Sequence, residues 1–297
     1  MHIQRGAWAE INLDAVAHNV QMAKANLKPT TKLCAVVKAD AYGHGAVRVA
    51  QEAARNGADF FAVALLQEGV KLREAGIETP ILVLGSMLPE VAEICVRYDI
   101  SHAVFDEERL YALNAAALKL HTKAKIHIKI DTGMHRIGVH VRDAGRFAKL
   151  AASLPGIYIE GVFSHFATAD ADDKQYAAYQ FERFQEALRL IEAEGVHIPI
   201  RHIANSAALT ELQEYQLDMV RQGITLYGLH PAHMIDCYKD FEPVMTVKTQ
   251  VAFVKTLPPG ETIGYGRTYT LTRPSVIATV PIGYAHGAGT RLSYPGA

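Results

Sequence analysis

The feature that most constrains the fold is a regular alternation of short apolar runs with longer helical patterns. The clearest helical pattern extends from Asp172 to Glu194, where Asp172 or Asp173 can cap the start and Gly195 the end. Strand–helix alternation repeated eight times predicts a parallel (β/α)8 barrel of the TIM type, with functional groups at the carboxyl ends of its strands. The predicted strands are Leu33–Val37, Phe60–Ala64, Ile81–Leu84, His102–Phe105, Lys125–Asp131, Ile157–Phe163, Arg201–Ala204 and Asp218–Arg221.

The pattern changes after Leu229, where β-prone runs replace the alternation. These runs are Val244–Val254, Thr268–Leu271 and Val276–Pro281, separated by proline-containing turns. The early run Trp8–Leu13 alternates with period two, so we expect it to pair with this later region rather than with the barrel. The sequence therefore predicts a barrel over residues 14–235 and a second, mostly β domain built from residues 1–13 and 236–297.

Composition excludes several classes of function. With 30 Lys and Arg against 31 Asp and Glu, the net charge is -1, which disfavours binding to nucleic acid or to anionic membranes. Met1 is followed by no apolar leader, and no later run approaches the roughly 20 apolar residues of a membrane span. We therefore expect a cytoplasmic protein with no membrane partner.

The cysteines and histidines do not predict a metal site. Cys34, Cys95 and Cys237 are odd in number and far apart in sequence, as free thiols in a reducing compartment would be. His230 and His233 have ligand-like spacing, but Pro231 lies between them and no nearby cysteine or carboxylate pattern completes a site. A surface loop is the expected structure there.

Lys38 lies where the first predicted strand ends and a turn rich in glycine begins. A lysine amine at such a strand end faces the barrel mouth, and partial burial or nearby cations would lower its pKa enough for it to form a Schiff base. A solvated lysine at the end of a strand is the alternative interpretation.

Other predicted strand ends carry candidate binding groups. In Ile126–Asp131 the isoleucines share one face, which places Lys129 on the other, where Asp131 is a possible counter-ion. Arg136 in the next loop can bind a substrate carboxylate or form a surface ion pair. His165 follows a later strand and can face the same mouth, although it could equally be a buried core histidine.

The last two predicted strands end in groups suited to phosphate. Asn205 or Ser206 can cap a following short helix, whose N–H groups favour an anion. Arg221 and Gly223 follow the eighth strand, where the glycine permits close approach of the backbone. Barrels commonly bind phosphate after these two strands.

Together these segments resemble alanine racemase, a family of fold-type III enzymes that use pyridoxal 5′-phosphate. The resemblance extends through nearly the whole chain, and the segment around Lys38 is its most specific part. The residues that carry it are Ala35–Gly45, Asp131–Arg136, His165-Phe166-Ala167, Asn205-Ser206, Arg221-Gln222-Gly223-Ile224 and Gly264-Tyr265-Gly266.

The resemblance implies a role for each site residue. Lys38 would be the Schiff-base lysine and one of two catalytic bases, and Tyr265 of the partner subunit would be the other. Arg221 would face the pyridine nitrogen beside His165, and Arg136 would contact the cofactor's phenolic oxygen and the substrate carboxylate. The remaining residues implied are a carbamylated Lys129 that holds Arg136, a phosphate site at Tyr42, Asn205, Ser206, Gly223 and Ile224, and a substrate-binding Tyr284.

The implied activity is the interconversion of L-alanine and D-alanine by a head-to-tail homodimer, which supplies D-alanine for peptidoglycan. A racemase that prefers serine and a non-catalytic barrel that only binds the cofactor are the alternatives. A decarboxylase of the same fold type would need motifs around its own acidic and cysteine residues that do not occur here.

Two departures from the family pattern affect these expectations. His286 stands where the family usually has an aspartate, near the implied substrate entrance. The match also stops at Ala297, before a Met-Asp loop and a further phosphate-binding tyrosine of the family. We therefore expect these 297 residues to bind the cofactor yet racemise poorly, and a version extended beyond Ala297 to be fully active.

Overall fold

The computed structural model describes residues 6–231 and 238–286, and the chain divides into two units. The barrel unit comprises Asn12–Val244, and the β unit comprises Met1–Ile11 together with Met245–Ala297. The boundary predicted after residue 235 falls within 232–237, outside the described residues.

Eight parallel strands of the barrel unit form an almost closed barrel, as predicted. Strand β1 (Ala7–Ile11) precedes them in the β unit, and the short β7 (Val139–His140) pairs only with the last two residues of β6. The strands of the barrel unit are β2 (Lys32–Val36), β3 (Phe60–Val63), β4 (Ile81–Val83), β5 (Ser101–Val104), β6 (Ala124–Asp131), β7, β8 (Ile157–Phe163), β9 (Ile200–His202) and β10 (Met219–Gln222).

The barrel closes between β9 and β10, because every other neighbouring pair in the order β10-β2-β3-β4-β5-β6-β8-β9 is joined by a parallel ladder. Two backbone hydrogen bonds join this last pair: Asp218 N–H donates to the Arg201 carbonyl at 3.0 Å, and Arg221 N–H donates to the Ala204 carbonyl at 3.1 Å. The carboxyl ends of all eight strands therefore meet at one mouth.

Helices follow the strands and cover the barrel with their apolar faces. The predicted helix over Asp172–Glu194 is observed as α8 and begins at Gln175, whose N–H donates to the Asp173 carboxylate at 2.8 Å. Gly195 follows its end with a φ of +74°, which suits glycine. The helices are α1 (Leu13–Ala25), α2 (Lys38–Tyr42), α3 (Ala46–Arg55), α4 (Leu66–Glu74), α5 (Ala92–Arg97), α6 (Glu107–Lys119), α7 (Ala144–Ser153), α8 (Gln175–Ala193) and α9 (Ser206–Glu211).

The β unit is built from antiparallel pairs. Strand β1 pairs with β11, so that Trp8 lies opposite Lys248, which confirms the predicted pairing of the early period-two run with the later β region. The next strands pair as β12 with β15 and β13 with β14. The strands after the barrel are β11 (Met245–Thr249), β12 (Phe253–Leu257), β13 (Thr262–Ile263), β14 (Tyr269–Thr270) and β15 (Ser275–Thr279).

The cysteines that the structure describes are buried free thiols. Burial raises the pKa of both Cys34 and Cys95 to about 12, so neither is a thiolate at neutral pH. Cys237 and His233 lie outside the described residues, and His230 stacks against the Tyr238 ring. Over the described ranges, no helix combines the length and apolar character that crossing a membrane requires.

We predict that Asp218→Asn destabilises the barrel at its closing seam. The Asp218 carboxylate accepts hydrogen bonds from the Arg201 N–H at 2.8 Å and from Arg201 Nε at 2.7 Å. Although burial opposes it, the contact with Arg201 lowers the pKa of Asp218 below its ordinary value. At neutral pH the free energy of unfolding in urea should fall by about 1 kcal/mol.

The sign of the pH dependence follows from this lowered pKa. The stabilisation is complete above the pKa of Asp218 in the unfolded chain and is lost as the pH falls through its folded-state value. The wild-type and Asp218→Asn curves should therefore converge in acid. Substitution of the exposed Asp172 by Asn is the control and should change neither the free energy of unfolding nor its dependence on pH. A difference that does not depend on pH would contradict the assignment.

Candidate functional site

A cavity of about 560 Å³ opens at the carboxyl ends of the barrel strands. It brings together every site residue that the sequence predicts within the barrel unit. The remaining two, Tyr265 and Tyr284, belong to the β unit, where their side chains are 93% and 70% exposed. The predicted residues that line the cavity are Lys38, Tyr42, Lys129, Arg136, His165, Asn205, Ser206, Arg221, Gly223 and Ile224.

Lys38 is followed by a turn with left-handed backbone. Residues 39–42 have φ angles between +52° and +55°, a region that residues with a Cβ seldom adopt. Two contacts with carboxylates hold the turn: Ala39 N–H donates to Glu68 Oε1 at 2.5 Å, and Asp40 Oδ1 accepts from Ala46 N–H at 3.0 Å. Backbone strain of this kind persists where the surrounding structure fixes it, and here it places Lys38 and Tyr42 at one cavity.

The Tyr42 ring is held in place by contact with another aromatic ring, that of Tyr227. The two rings lie 4.8 Å apart, and the Tyr227 ring also packs 4.6 Å from His44. The Tyr227 hydroxyl donates to the Val36 carbonyl at 2.8 Å, which ties this stack to the end of β2. The position of the Tyr42 hydroxyl is therefore set by the barrel and not by the turn alone.

Lys129 is a buried amine that no described carboxylate contacts. Its side chain donates only a long hydrogen bond to the Ile130 carbonyl, at 3.3 Å, and lies 5.0 Å from the centre of the Phe163 ring. Burial, followed by the charges of Arg221 and Arg136, lowers the pKa of Lys129 well below its ordinary value. A neutral amine is therefore favoured at this position.

Asp131 forms no hydrogen bond or ion pair with Lys129, unlike the alternative raised by the sequence. Its carboxylate instead binds the Gly133 and His135 N–H groups, both at 3.0 Å, and the His135 ring at 2.9 Å. The physical reason is that the loop after β6 folds back, so that the donors of Gly133 and His135 reach the Asp131 carboxylate.

Arg221 is held by carbonyls and imidazoles. Its guanidinium donates to the carbonyls of Ser164 and Ile203 at 2.8 and 3.1 Å, and to Nδ1 of His165 and of His202 at 3.0 and 2.7 Å. Burial lowers the pKa of Arg221 to about 10, which leaves it charged at neutral pH. Burial and the charge of Arg221 also lower the pKa of His165 well below its ordinary value, so this imidazole is neutral.

The cavity is strongly cationic. Besides Lys129, whose neutral form is favoured, the basic side chains of Lys38, Arg136 and Arg221 line it, and Asp170 is the one carboxylate among its lining residues in the described part of the chain. Charges of one sign in a concave, partly desolvated site favour a ligand of the opposite sign. The site is therefore suited to an anion such as a phosphate ester or a carboxylate.

A gap suited to phosphate lies between β9 and β10. The Asn205 carboxamide caps α9 by accepting from Ala208 N–H at 3.0 Å, and Ser206 Oγ accepts from Gly223 N–H at 2.8 Å. A Cβ on Gly223 would lie 3.2 Å from the Tyr42 hydroxyl and 3.7 Å from Ser206 Oγ, so the glycine keeps this gap open. Hydroxyls, backbone N–H groups and nearby cations are a donor set that fits a phosphate-bearing cofactor.

Some of the residues that hold the site carry too weak a signal in the sequence to be predicted. The alternation in β6 placed His127 on the same face as Lys129, but no role was assigned to it. His202 and Glu160 were not identified, although all three form a hydrogen-bonded row with Arg221. The period-two pattern of β9 could have indicated that the His202 side chain points into the barrel. It could not have indicated the partners of His202, which are far from it in sequence.

Two family models together match most of the chain. One is described as alanine racemase, N-terminal domain, and matches residues 11–231; the other is described as alanine racemase, C-terminal domain, and matches residues 244–296. The chain is 46% identical to an alanine racemase of Desulfovibrio desulfuricans, over 97% of this chain and 78% of that protein. It is 45% identical to one of Halothermothrix orenii, over 99% and 78%.

Solved structures give the same result. An alanine racemase of Clostridium difficile 630 superposes with a TM-score of 0.91 at 40% identity, over 96% of this chain and 75% of that one. The alanine racemase of Bacillus anthracis with bound L-Ala-P superposes with a TM-score of 0.89 at 37% identity, over 97% and 75%.

We predict that Gly223→Ala weakens binding of pyridoxal 5′-phosphate. The added methyl would enter the gap beside the Tyr42 hydroxyl, where phosphate oxygens need room. The Kd, from an absorbance titration, should rise about tenfold, which corresponds to the loss of roughly one good hydrogen bond.

The same substitution at Gly283 provides a control, because no atom lies within 4 Å of a Cβ built there. Its Kd should equal that of the wild type. An unchanged Kd for Gly223→Ala, with the fold intact by circular dichroism, would contradict the placement of the phosphate.

Proposed function

This chain belongs to the alanine racemase family, and we propose that it interconverts L-alanine and D-alanine by a two-base mechanism that uses Lys38 and Tyr265 of the partner subunit. The family consists of isomerases that act on an amino acid and depend on pyridoxal 5′-phosphate, so the predicted family, enzyme class and cofactor are confirmed. We further propose that the reaction occurs in the cytoplasm and supplies D-alanine for peptidoglycan.

The cationic cavity is the observation that carries the proposal. It is lined by Lys38 after β2, by the open gap at Gly223 and by the guanidinium-bearing residues Arg136 and Arg221. When bound, pyridoxal 5′-phosphate withdraws electrons from the α-carbon of the amino acid and makes its α-proton removable. The protein has to supply binding, orientation and proton transfer.

Binding and orientation fall to the polar groups of the mouth. Tyr42, Ser206 and the backbone of Gly223 and Ile224, beside the Asn205 cap, would hold the phosphate. Arg221 would face the pyridine nitrogen. Because a guanidinium donates and remains charged, it would not transfer a proton there, which limits electron withdrawal and favours racemisation over side reactions.

Arg136 and Lys129 form the proposed carboxylate-binding side. The Arg136 guanidinium lines the cavity and can bind the substrate carboxylate through two parallel hydrogen bonds. Burial and the neighbouring charges of Arg221 and Arg136 lower the pKa of the Lys129 amine, and a carbamate on it would instead place an anion beside the two arginines. Formation of the carbamate needs a neutral amine, the form that burial favours here.

Proton transfer requires one base on each face of the α-carbon. Lys38 serves one face from within the barrel unit. Tyr265 lies in a turn between Gly264 and Gly266, whose φ angles of +73° and +72° present it outward from the β unit. Its 93% exposure in a single chain suits a side chain that completes the site of a neighbour, so we propose a head-to-tail homodimer.

Tyr284 is proposed to contact the substrate from the same β unit. Its side chain is 70% exposed, and it begins a short turn in which the Gly283 N–H lies 3.3 Å from His286 Nδ1. His286 therefore holds the turn beside Tyr284 where relatives are expected to use an aspartate.

The first test of the function is the dependence of turnover on Lys38. The wild type, supplied with D-alanine or L-alanine separately, should produce the opposite enantiomer in chiral chromatography. Lys38→Ala should reduce turnover to background, because one base and the covalent attachment to the cofactor are both lost. Borohydride should fix the cofactor on Lys38 in the wild type. Attachment to another lysine would contradict the assignment.

The second test concerns the modification of Lys129. Isotope-labelled bicarbonate should give a carbamate signal in carbon NMR, and mass spectrometry under non-denaturing conditions should show the added mass. Lys125 on the same strand is the matched control, since its ammonium pairs with Asp99 at 2.7 Å and should stay unmodified. A bare ammonium at Lys129 in a fully active enzyme would refute the proposal.

The third test is complementation between subunits. Lys38→Ala and Tyr265→Phe subunits should each be nearly inactive alone. After subunit exchange, one of the two sites in each mixed dimer regains both bases, so activity should return in part. If exchange is demonstrated by differential tags and no activity returns, Tyr265 does not act on the partner's site.

A further inference from the structure

A row of buried polar groups extends from Arg221 across the barrel, away from the cavity. Arg221 Nη1 lies 2.7 Å from His202 Nδ1, His202 Nε2 lies 2.9 Å from His127 Nδ1, and His127 Nε2 lies 3.0 Å from Glu160 Oε2. The Ser101 hydroxyl donates to the same carboxylate oxygen. Both histidines are fully buried, and the Glu160 side chain is 13% exposed.

The chemistry of arginine fixes the direction of every hydrogen bond in this row. A guanidinium has donors and no acceptor, so His202 Nδ1 must accept from Arg221. Burial and the charge of Arg221 lower the pKa of His202 well below its ordinary value, so the ring is neutral and carries its proton on Nε2. That proton is donated to His127 Nδ1, which leaves the proton of His127 on Nε2, facing Glu160.

The same logic excludes other protonation states while the row is intact. A proton on His127 Nδ1 would face the Nε2 proton of His202 across 2.9 Å, which places two donors against each other. The Nδ1 tautomer of His127 would force the Nδ1 tautomer of His202, whose N–H would then oppose the guanidinium of Arg221. The row therefore tolerates one arrangement, in which all protons point toward Glu160.

The backbone is shaped to allow this row. Between β6 and β8 the register skips a residue: Ile126 pairs with Ile159, but His127 pairs with Gly161, so Glu160 is the extra residue of a β-bulge. A Cβ on Gly161 would lie 2.5 Å from His127 Nδ1, so a glycine is required beside the ring. The bulge directs the carboxylate of Glu160 and the glycine makes room for its partner.

We propose that Glu160 is a positioning residue which, by accepting the His127 Nε2 proton, completes the order of donors and acceptors that Arg221 imposes and so holds His127, His202 and Arg221 in place. Glu160 touches neither cofactor nor substrate in this role. It also places a carboxylate in the same row as a buried guanidinium, separated by two neutral rings. Its catalytic consequence rests on the proposed function, in which Arg221 faces the pyridine nitrogen.

The tautomers give a direct test that does not depend on turnover. In holoenzyme labelled at the histidine ring nitrogens, NMR should show His127 and His202 neutral, each with its proton on Nε2. A scalar coupling across the hydrogen bond should join His202 Nε2 to His127 Nδ1. An Nδ1 proton on either ring, or a charged His127, would overturn the proposal in the wild type, before any variant is made.

Variants then separate acceptance of a hydrogen bond from packing. Glu160→Leu should leave the His127 Nε2 proton without its acceptor, weaken the coupling between His202 and His127, shift the visible absorbance of the bound cofactor and lower kcat about tenfold while KM changes little, as expected when a buried donor loses its acceptor. Glu160→Gln keeps an acceptor oxygen and should restore the coupling between the two rings and most of kcat. Glu107→Leu is the control, because it removes a carboxylate that pairs with Arg146 and not with the row.

The outcomes distinguish this inference from the proposed function. If Glu160→Leu keeps the wild-type coupling between the rings, the absorbance and kcat, Glu160 does not position the row. If Glu160→Gln behaves like Glu160→Leu, acceptance of a hydrogen bond is not what matters and the proposal is also wrong. An enzyme with the expected tautomers that racemises no alanine would refute the proposed function and leave the hydrogen-bonded row standing.

Discussion

The site depends on holding cations inside the mouth of a barrel with few carboxylates near them. An ionised group without a partner costs many kcal/mol to bury, so a protein neutralises it, surrounds it with acceptors or pairs it. All three solutions occur here. Lys129 is driven toward its neutral form, Arg221 is bound by carbonyls and imidazoles, and the remaining charge favours an anionic ligand.

This electrostatic arrangement explains why the surrounding groups are so tightly specified. Because Arg221 can only donate, each group that touches it must be an acceptor, and this requirement passes from ring to ring. His165 is held neutral on the cavity side and His202 on the core side. One permanently charged side chain thus sets the protonation of imidazoles on two sides of it.

The backbone supplies the geometry at three places where the regular pattern is broken. The left-handed turn after Lys38, the glycine at position 223 and the bulge at Glu160 each depart from ideal strand or helix structure. Such departures are unfavourable locally and persist because the closed barrel fixes the chain on both sides. Each of them aims a functional group, whereas the regular strands and helices around them serve mainly to fill the core.

The sequence by itself determined the order of the elements, the second β region and most of the polar side chains of the cavity. Apolar periodicity and turn residues are local signals, and the ends of parallel strands converge on one mouth whatever the details of packing. This is why Lys38, Arg136, Ser206 and Arg221 were found without a structure. The pairing of the segment at Trp8 followed from its own alternation.

Tertiary structure alone decided which of these groups touch. The spacing of Lys129 and Asp131 in the sequence allowed an ion pair between them. In the structure the Asp131 carboxylate instead accepts hydrogen bonds from the N–H groups of the loop after β6. Glu160 could not be predicted because it lies in a β-bulge, which interrupts the alternation of side chains along β8. His202 could not be predicted because its partners, His127 and Arg221, lie on distant strands. Hydrogen bonds across a barrel depend on strand register and closure to within a fraction of an ångström, and a one-dimensional pattern carries no measure of that distance.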